Sequence, residues 1–229
     1  MMFMRSFSTI FLSLTLGLIV VAGQVVAHGD VAPQAVNTDA LPEVGEEWAL
    51  ENPYRSMGED VWSTAIRIGD SGYNQNCARC HGLGVVSGGL APDLRYLEAD
   101  EYGDEWYTER FRDGYTQNGI TKMPAFGELL GQKAAWAIRT YIETRPDDGA
   151  LDEHSARLEE IRDELGGWQD GDTQPLIAEL RKIAEQIETG SGAPVADSAA
   201  FRALTLIDRK NPNFAEAANQ LTIGLSAAR

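Results

Sequence analysis

The sequence predicts an all-α protein made of two helical parts in series, and three observations lead there. Apolar residues recur at three- and four-residue intervals in seven stretches between Glu59 and Ala228. Loops rich in Gly and Pro separate the earlier stretches. After Asp147 and Asp148 the composition shifts: Cys and Met disappear, while Ala, Glu, Leu and Ile dominate.

Residues 1–27, MMFMRSFSTIFLSLTLGLIVVAGQVVA, carry one positive charge at Arg5, an apolar run from Ile10 to Val21 and a small-residue end at Ala27. That is the layout of a secretory signal peptide. Cleavage after Ala27 starts the mature chain at His28 and makes it periplasmic; a membrane is involved only if the leader is retained as an anchor. Residues 28–57 lack a sustained period and read as an extended arm whose Trp48 and Tyr54 pack onto the first domain. A copper site at the amine and imidazole of His28 lacks a second histidine nearby.

Residues 58–146 form that first domain. EDVWSTAIRIGDSGYNQN, from Glu59, has a buried helical face and runs into Cys77-Ala78-Arg79-Cys80-His81. Residues 81–100 are loop, and 105–114 form a helix that stops at Gly114. A second loop holds TKMPAFG, and 128–144 form an amphipathic helix closed by Pro146. Residues 147–229 are a C-terminal segment of two helical hairpins: Leu158, Ile161 and Leu165 share one face, Leu180, Ile183 and Ile187 another, and two more helices flank Asn211-Pro212.

The chain has 19 basic and 35 acidic residues, a net charge of −16, which becomes −17 once Arg5 leaves with the leader. Such a surface disfavours nucleic acid and anionic lipid, and favours a partner with a basic patch whose association slows with salt.

Cys77 and Cys80 are the two cysteines of the chain, and His81 comes directly after them. Positions i, i+3 and i+4 share one side of a helical turn, so two thiols can add to the two vinyl groups of a porphyrin while an imidazole reaches its iron. Structural zinc needs a fourth ligand, for which only the distant His154 is left, and a thioredoxin-like dithiol needs a strand–helix pattern that this chain lacks. One covalent haem c is therefore expected on Cys77 and Cys80, with His81 on the iron. Of the two mature methionines, Met57 precedes the thiol-bearing helix, whereas Met123 lies in a Pro-stiffened loop 42 residues beyond His81. Met123 is the expected second axial ligand, leaving no open position for a substrate.

Around these residues, 59–145 resembles a class I cytochrome c domain: Gly69 and Tyr73 before CARCH, Pro92 in GGLAPDL, Gly114, Met123-Pro124, and Trp136 with Tyr141 in the last helix. The resemblance implies that the Pro92 carbonyl accepts a hydrogen bond from the free ring nitrogen of His81, orienting it. More narrowly, YNQNCARCHGLGVVSGGLAPDLRYL, HGDVAPQAV and MPAFG resemble the cytochrome c-550 group called PedF, which is similar in role to cytochrome cL. That implies a one-electron carrier, not an enzyme. Its donor would be a quinoprotein (pyrroloquinoline quinone) alcohol dehydrogenase, and its acceptor a cytochrome oxidase or another cytochrome. The chain departs from that group in having no further cysteine after Leu94 and in adding the helical tail, where NPNFAEAANQL resembles a junction between tetratricopeptide repeats.

Arg95, Arg110, Arg112 and Lys122 are candidates for haem propionates, and Tyr96 and Trp106 for core or haem pocket. Two other readings stay open: a haem-based sensor or peroxidase-like protein with a displaceable Met123, and an assembly factor acting through the tail.

Overall fold

In the computed structural model, residues 33–227 are described; the leader 1–27 and His28 lie outside them. The helices α1 (Glu59–Asn76) and α4 (Gly127–Glu143) cross at Gly69. A Cβ on Gly69 would lie 1.9 Å from the Ala137 carbonyl oxygen, so only glycine lets the two backbones meet this closely. Tyr73 and Tyr141 continue the contact one turn on, their ring centroids 5.4 Å apart. Glu59 and Asp60 open α1 where the helix dipole favours negative charge.

From Ala134 onwards α4 is buried all round, as a helix between two layers must be. On one side lies α3 (Glu101–Asp113). It begins four residues before the expected Glu105, because Asp100 caps it by accepting from the Gly103 amide, while Gly103 itself hides the apolar period. Gly103 packs against the Glu98 carbonyl, where a Cβ would come within 2.0 Å.

Burial of Arg139 in α4 is satisfied by ions. Its Nε donates to Asp104 at 2.8 Å, both side chains being fully buried, and its guanidinium also donates to the Leu97 and Glu98 carbonyls. Arg55 of the arm bridges Asp104 and Glu143, at 2.6 Å each, completing a balanced set of two arginines and two carboxylates. The arm is thus fixed: Tyr54 is buried and Trp48 meets Phe111 with centroids 6.3 Å apart.

The expected loop around TKM contains a two-stranded antiparallel sheet, β1 (Tyr115–Gln117) and β2 (Ile120–Met123). Asn118 and Gly119 turn it with φ of 53° and 75°, the left-handed pair that suits a tight hairpin.

A short helix, α2 (Ala78–His81), comes directly after α1. Beyond α4 lie α5 (Ser155–Gly166), α6 (Gln174–Gln186), α7 (Ala199–Ile207) and α8 (Phe214–Ala227). α7 packs between α6 and α8, and α5 lies chiefly on α8; α5 and α6 are joined by Arg157 and Glu179 at 2.6 Å. Apolar faces carry this packing, with Leu158, Ile161, Leu180 and Leu221 fully buried.

The tail is seated on the end of α4. Ser191 Oγ donates to the Glu143 carbonyl at 2.6 Å, the Asp197 amide to the Thr144 carbonyl at 2.8 Å, and the Ala99 amide to the Ser191 carbonyl at 3.0 Å. Asp197, buried, is held by Arg145 and Arg202. Phe201 meets Trp62 of α1 edge-on at 5.6 Å. Among the described residues no helix is long and apolar enough to cross a membrane.

Candidate haem site

α1 ends at Cys77, whose amide still donates to the Tyr73 carbonyl at 2.7 Å, and α2 starts from the same residue. The amides of Cys80 and His81 both donate to the Cys77 carbonyl, at 3.1 and 3.0 Å. The turn therefore carries Cys77, Cys80 and His81 together. Cys77 is half-buried and Cys80 exposed, and the two are not joined to each other in a disulfide. Burial, then the neighbouring Cys80, pushes the Cys77 thiol up to about 12.

Glycine is required at the next position. Gly82 has a φ of 87° and a Cβ would lie 1.8 Å from the Val86 carbonyl oxygen, so the chain folds back on itself at once. The Tyr73 hydroxyl donates to the Gly82 carbonyl at 2.9 Å, tying this turn to α1.

Nδ1 of His81 lies 2.9 Å from the Pro92 carbonyl oxygen. With the proton on Nδ1 the ring donates that bond and leaves Nε2 as the free lone pair, which is what a metal ligand needs. Burial lowers the His81 pKa, opposed by the hydrogen bond to the Pro92 carbonyl and by Asp93. The loop behind Pro92 is braced. Asp93 accepts from Arg95 Nε at 3.1 Å and from a terminal guanidinium nitrogen at 2.8 Å, and Ser87 Oγ donates to the Ala91 carbonyl at 2.5 Å. Hydrogen bonding from Arg95 holds the Asp93 carboxyl below the usual aspartate range.

Met123 ends β2, half-buried against the core and opposite Tyr115. Gly114 sets this position: at φ 71°, a Cβ there would come within 2.4 Å of the Met123 carbonyl oxygen. The Phe126 amide, donating to the Phe111 carbonyl at 2.8 Å, anchors the far side. The loops bearing Pro92 and Met123, and the start of α4, also present Leu90, Tyr115, Ile120 and Leu129 to solvent, at 69, 41, 56 and 64% exposure. Exposed apolar side chains on the Pro92 and Met123 segments are of the kind that a porphyrin would cover. Cys77 and Cys80 could hold its vinyl carbons, and His81 and Met123 its iron.

The propionate candidates divide. Arg95 is buried and committed to Asp93 and to Asp148 at 2.5 Å. Arg110 lies over the rings of Trp106 and Tyr115, at 5.4 and 5.3 Å, and Arg112 over Trp48 at 5.2 Å; Lys122 is exposed. Tyr96 is not core: it is 48% exposed under Arg95, its hydroxyl 3.3 Å from Asp147. Trp106 is half-buried. The buried Arg139–Asp104 pair is missing from the sequence-based candidates; its one signal is an arginine at an otherwise apolar position of a helix face.

Residues 64–142 match the family described as cytochrome c oxidase, cbb3-type, subunit III. The chain is 49% identical to cytochrome c550 of Pseudomonas aeruginosa over 135 residues, which is 56% of this chain and 91% of that protein. Two quinohemoprotein alcohol dehydrogenases of Pseudomonas putida, ADH IIB and ADH-IIG, are 30% and 29% identical over 93 and 86 residues. Those matches span 40% and 38% of this chain but 13% and 11% of the dehydrogenases. No solved structure matches. A turn bearing two cysteines and a carbonyl-oriented histidine, in a helical fold 49% identical to cytochrome c550 across nearly that whole protein, makes this chain a member of the class I c-type cytochromes, a monohaem electron-transfer protein with covalently bound haem c.

Proposed function

We propose that the protein is an exported, periplasmic carrier that takes single electrons from a quinoprotein alcohol dehydrogenase and delivers them to a terminal oxidase or another cytochrome. In this reading Cys77 and Cys80 form the thioethers, and His81 and Met123 are the axial ligands. The observation that carries it is the 2.9 Å contact from His81 Nδ1 to the Pro92 carbonyl, directly after the two thiols. When bound, the haem supplies a one-electron couple whose potential responds to axial ligand and burial.

The chain's own residues do the rest. Pro92 fixes the tautomer and tilt of His81, and Arg95 holds Asp93 so that the carbonyl stays in place. Gly114 and the hairpin present Met123, which would close the second face and deny the iron to substrates. The protein is then a carrier and not a catalyst. The dehydrogenase assignment is supported by the likeness to segments of two proteins that are themselves quinohemoprotein alcohol dehydrogenases. The charge of −16 suits a donor with a basic docking patch.

The test is reduction of the purified ferric protein by quinoprotein alcohol dehydrogenases at low and high salt. Fast reduction that slows with salt is expected, with Cys77→Ser/Cys80→Ser losing covalent haem. No reduction by any such dehydrogenase overturns the donor assignment; retention of covalent haem by the double variant overturns the attachment site.

A further inference from the structure

The haem-bearing part and the tail meet along a groove of about 590 Å³. The loop just after His81 contributes Leu83 and Val86, the turn after α4 contributes Asp147, Asp148 and Asp152, and α8 contributes Ile223. Leu83 is 78% exposed, and Val86 and Ile223 are 51% exposed each. Exposed apolar residues scattered singly need no explanation, but three along one concavity built from two parts of the chain do.

The groove is also negative. Five aspartates line it against three arginines, and those arginines are already committed: Arg95 to Asp93 and Asp148, Arg145 to Asp197, and Arg202 to Asp197 and, at 4.0 Å, to Asp70. The exposed Asp152 and half-exposed Asp147 stand at its rim.

We propose that this groove is a docking site for a basic, apolar-tipped surface of a protein that exchanges electrons with the haem. The proposal rests on the electron-carrier reading and on His81 as the iron ligand. Charge complementarity selects the occupant, because an acidic groove on a chain of −16 attracts a basic surface and repels a second copy of itself. Position selects its task. Leu83 is two residues from His81, so their Cα atoms are at most about 7.6 Å apart, and an occupant touching Leu83 sits beside the ligand. Most of the lining belongs to the tail, so this site exists only in a cytochrome that carries one.

The experiment uses the mature haem-bearing protein, reduced, mixed with a purified, ferric, positively charged cytochrome c as probe. One electron leaves the ferrous haem and the ferric probe accepts it, with no bond or proton transferred. Ile223→Glu and Asp152→Lys alter the groove from the tail side, and Leu50→Glu changes an exposed apolar residue outside its lining. The second-order rate at low salt is expected to fall by about ten-fold or more in both groove variants and to stay unchanged in Leu50→Glu. Haem spectrum and midpoint potential should match wild type in all three. Unchanged rates in the groove variants, or equal slowing in Leu50→Glu, overturn the docking site while leaving the carrier reading intact. Sedimentation showing a dimer that the groove variants dissolve also overturns it, in favour of a second copy. A wild-type protein that holds covalent haem yet passes no electron to the probe overturns both readings.

Discussion

The haem-bearing part and the tail are both helical, yet they are held together differently. The first depends on single positions where backbone meets backbone or a charge is sealed inside: Gly69 against Ala137, Gly82 against Val86, Gly114 against Met123, and Arg139 on Asp104. The tail depends on aliphatic faces spread over four helices, with surface ions such as Arg157 to Glu160 and Glu164 decorating them. The first design places a few atoms accurately, as a rigid ligand frame requires. The second yields a stable body from interchangeable contacts, and is joined to the first through Asp197 and Ser191.

The contrast can be broken most severely at Asp104. Asp104→Ala leaves Arg139 buried without its closest carboxylate and is expected to cost about 3–5 kcal/mol, read as a lowered thermal midpoint of the haem protein. Gly69→Val drives a side chain into the Ala137 carbonyl and should cost roughly 3 kcal/mol or more, with a fall in the yield of haem-bearing protein. In the tail, Arg157→Ala removes an exposed network and should change stability by under about 1 kcal/mol in the same melt.

The joint between the parts responds to acid. Burial alone would raise the Asp197 carboxyl, but Arg145 and Arg202 outweigh it and hold it below the usual aspartate range. Its stabilising contribution is complete above the unfolded value of about 3.9 and is lost as pH falls through the lower folded one. Amide exchange at the Asp197 amide, which donates to the Thr144 carbonyl, should therefore quicken in that acid window, and Asp197→Asn should abolish the acid step.

Legibility in the sequence divides along the same line. The tail helices announce themselves through Leu158, Ile161, Leu180 and Ile183, because an apolar face is a local pattern. CARCH is a local chemical pattern too. The start of α3 is masked by Gly103, present for a close approach to Glu98 that no periodicity encodes. The hairpin before Met123 is signalled by Asn118-Gly119, but its short, exposed strands have no buried alternation to betray them. Tyr96 resembles core yet lies under Arg95 at the surface, because the buried partner of Asp93 is the arginine itself. The contact from His81 to Pro92 spans eleven residues of loop and is accessible through family resemblance, not through spacing.

The central claim is that this haem has two protein ligands, His81 and Met123, and exists to pass electrons. The most direct measurement is the visible spectrum of the ferric protein beside that of Met123→Ala, with carbon monoxide added to each in the ferrous state. A weak methionine–iron band is expected at the red end in the wild type and not in the variant, with carbon monoxide binding only after the substitution. A wild type that lacks the band and binds carbon monoxide readily would contradict the claim, and would turn attention to the sensor reading.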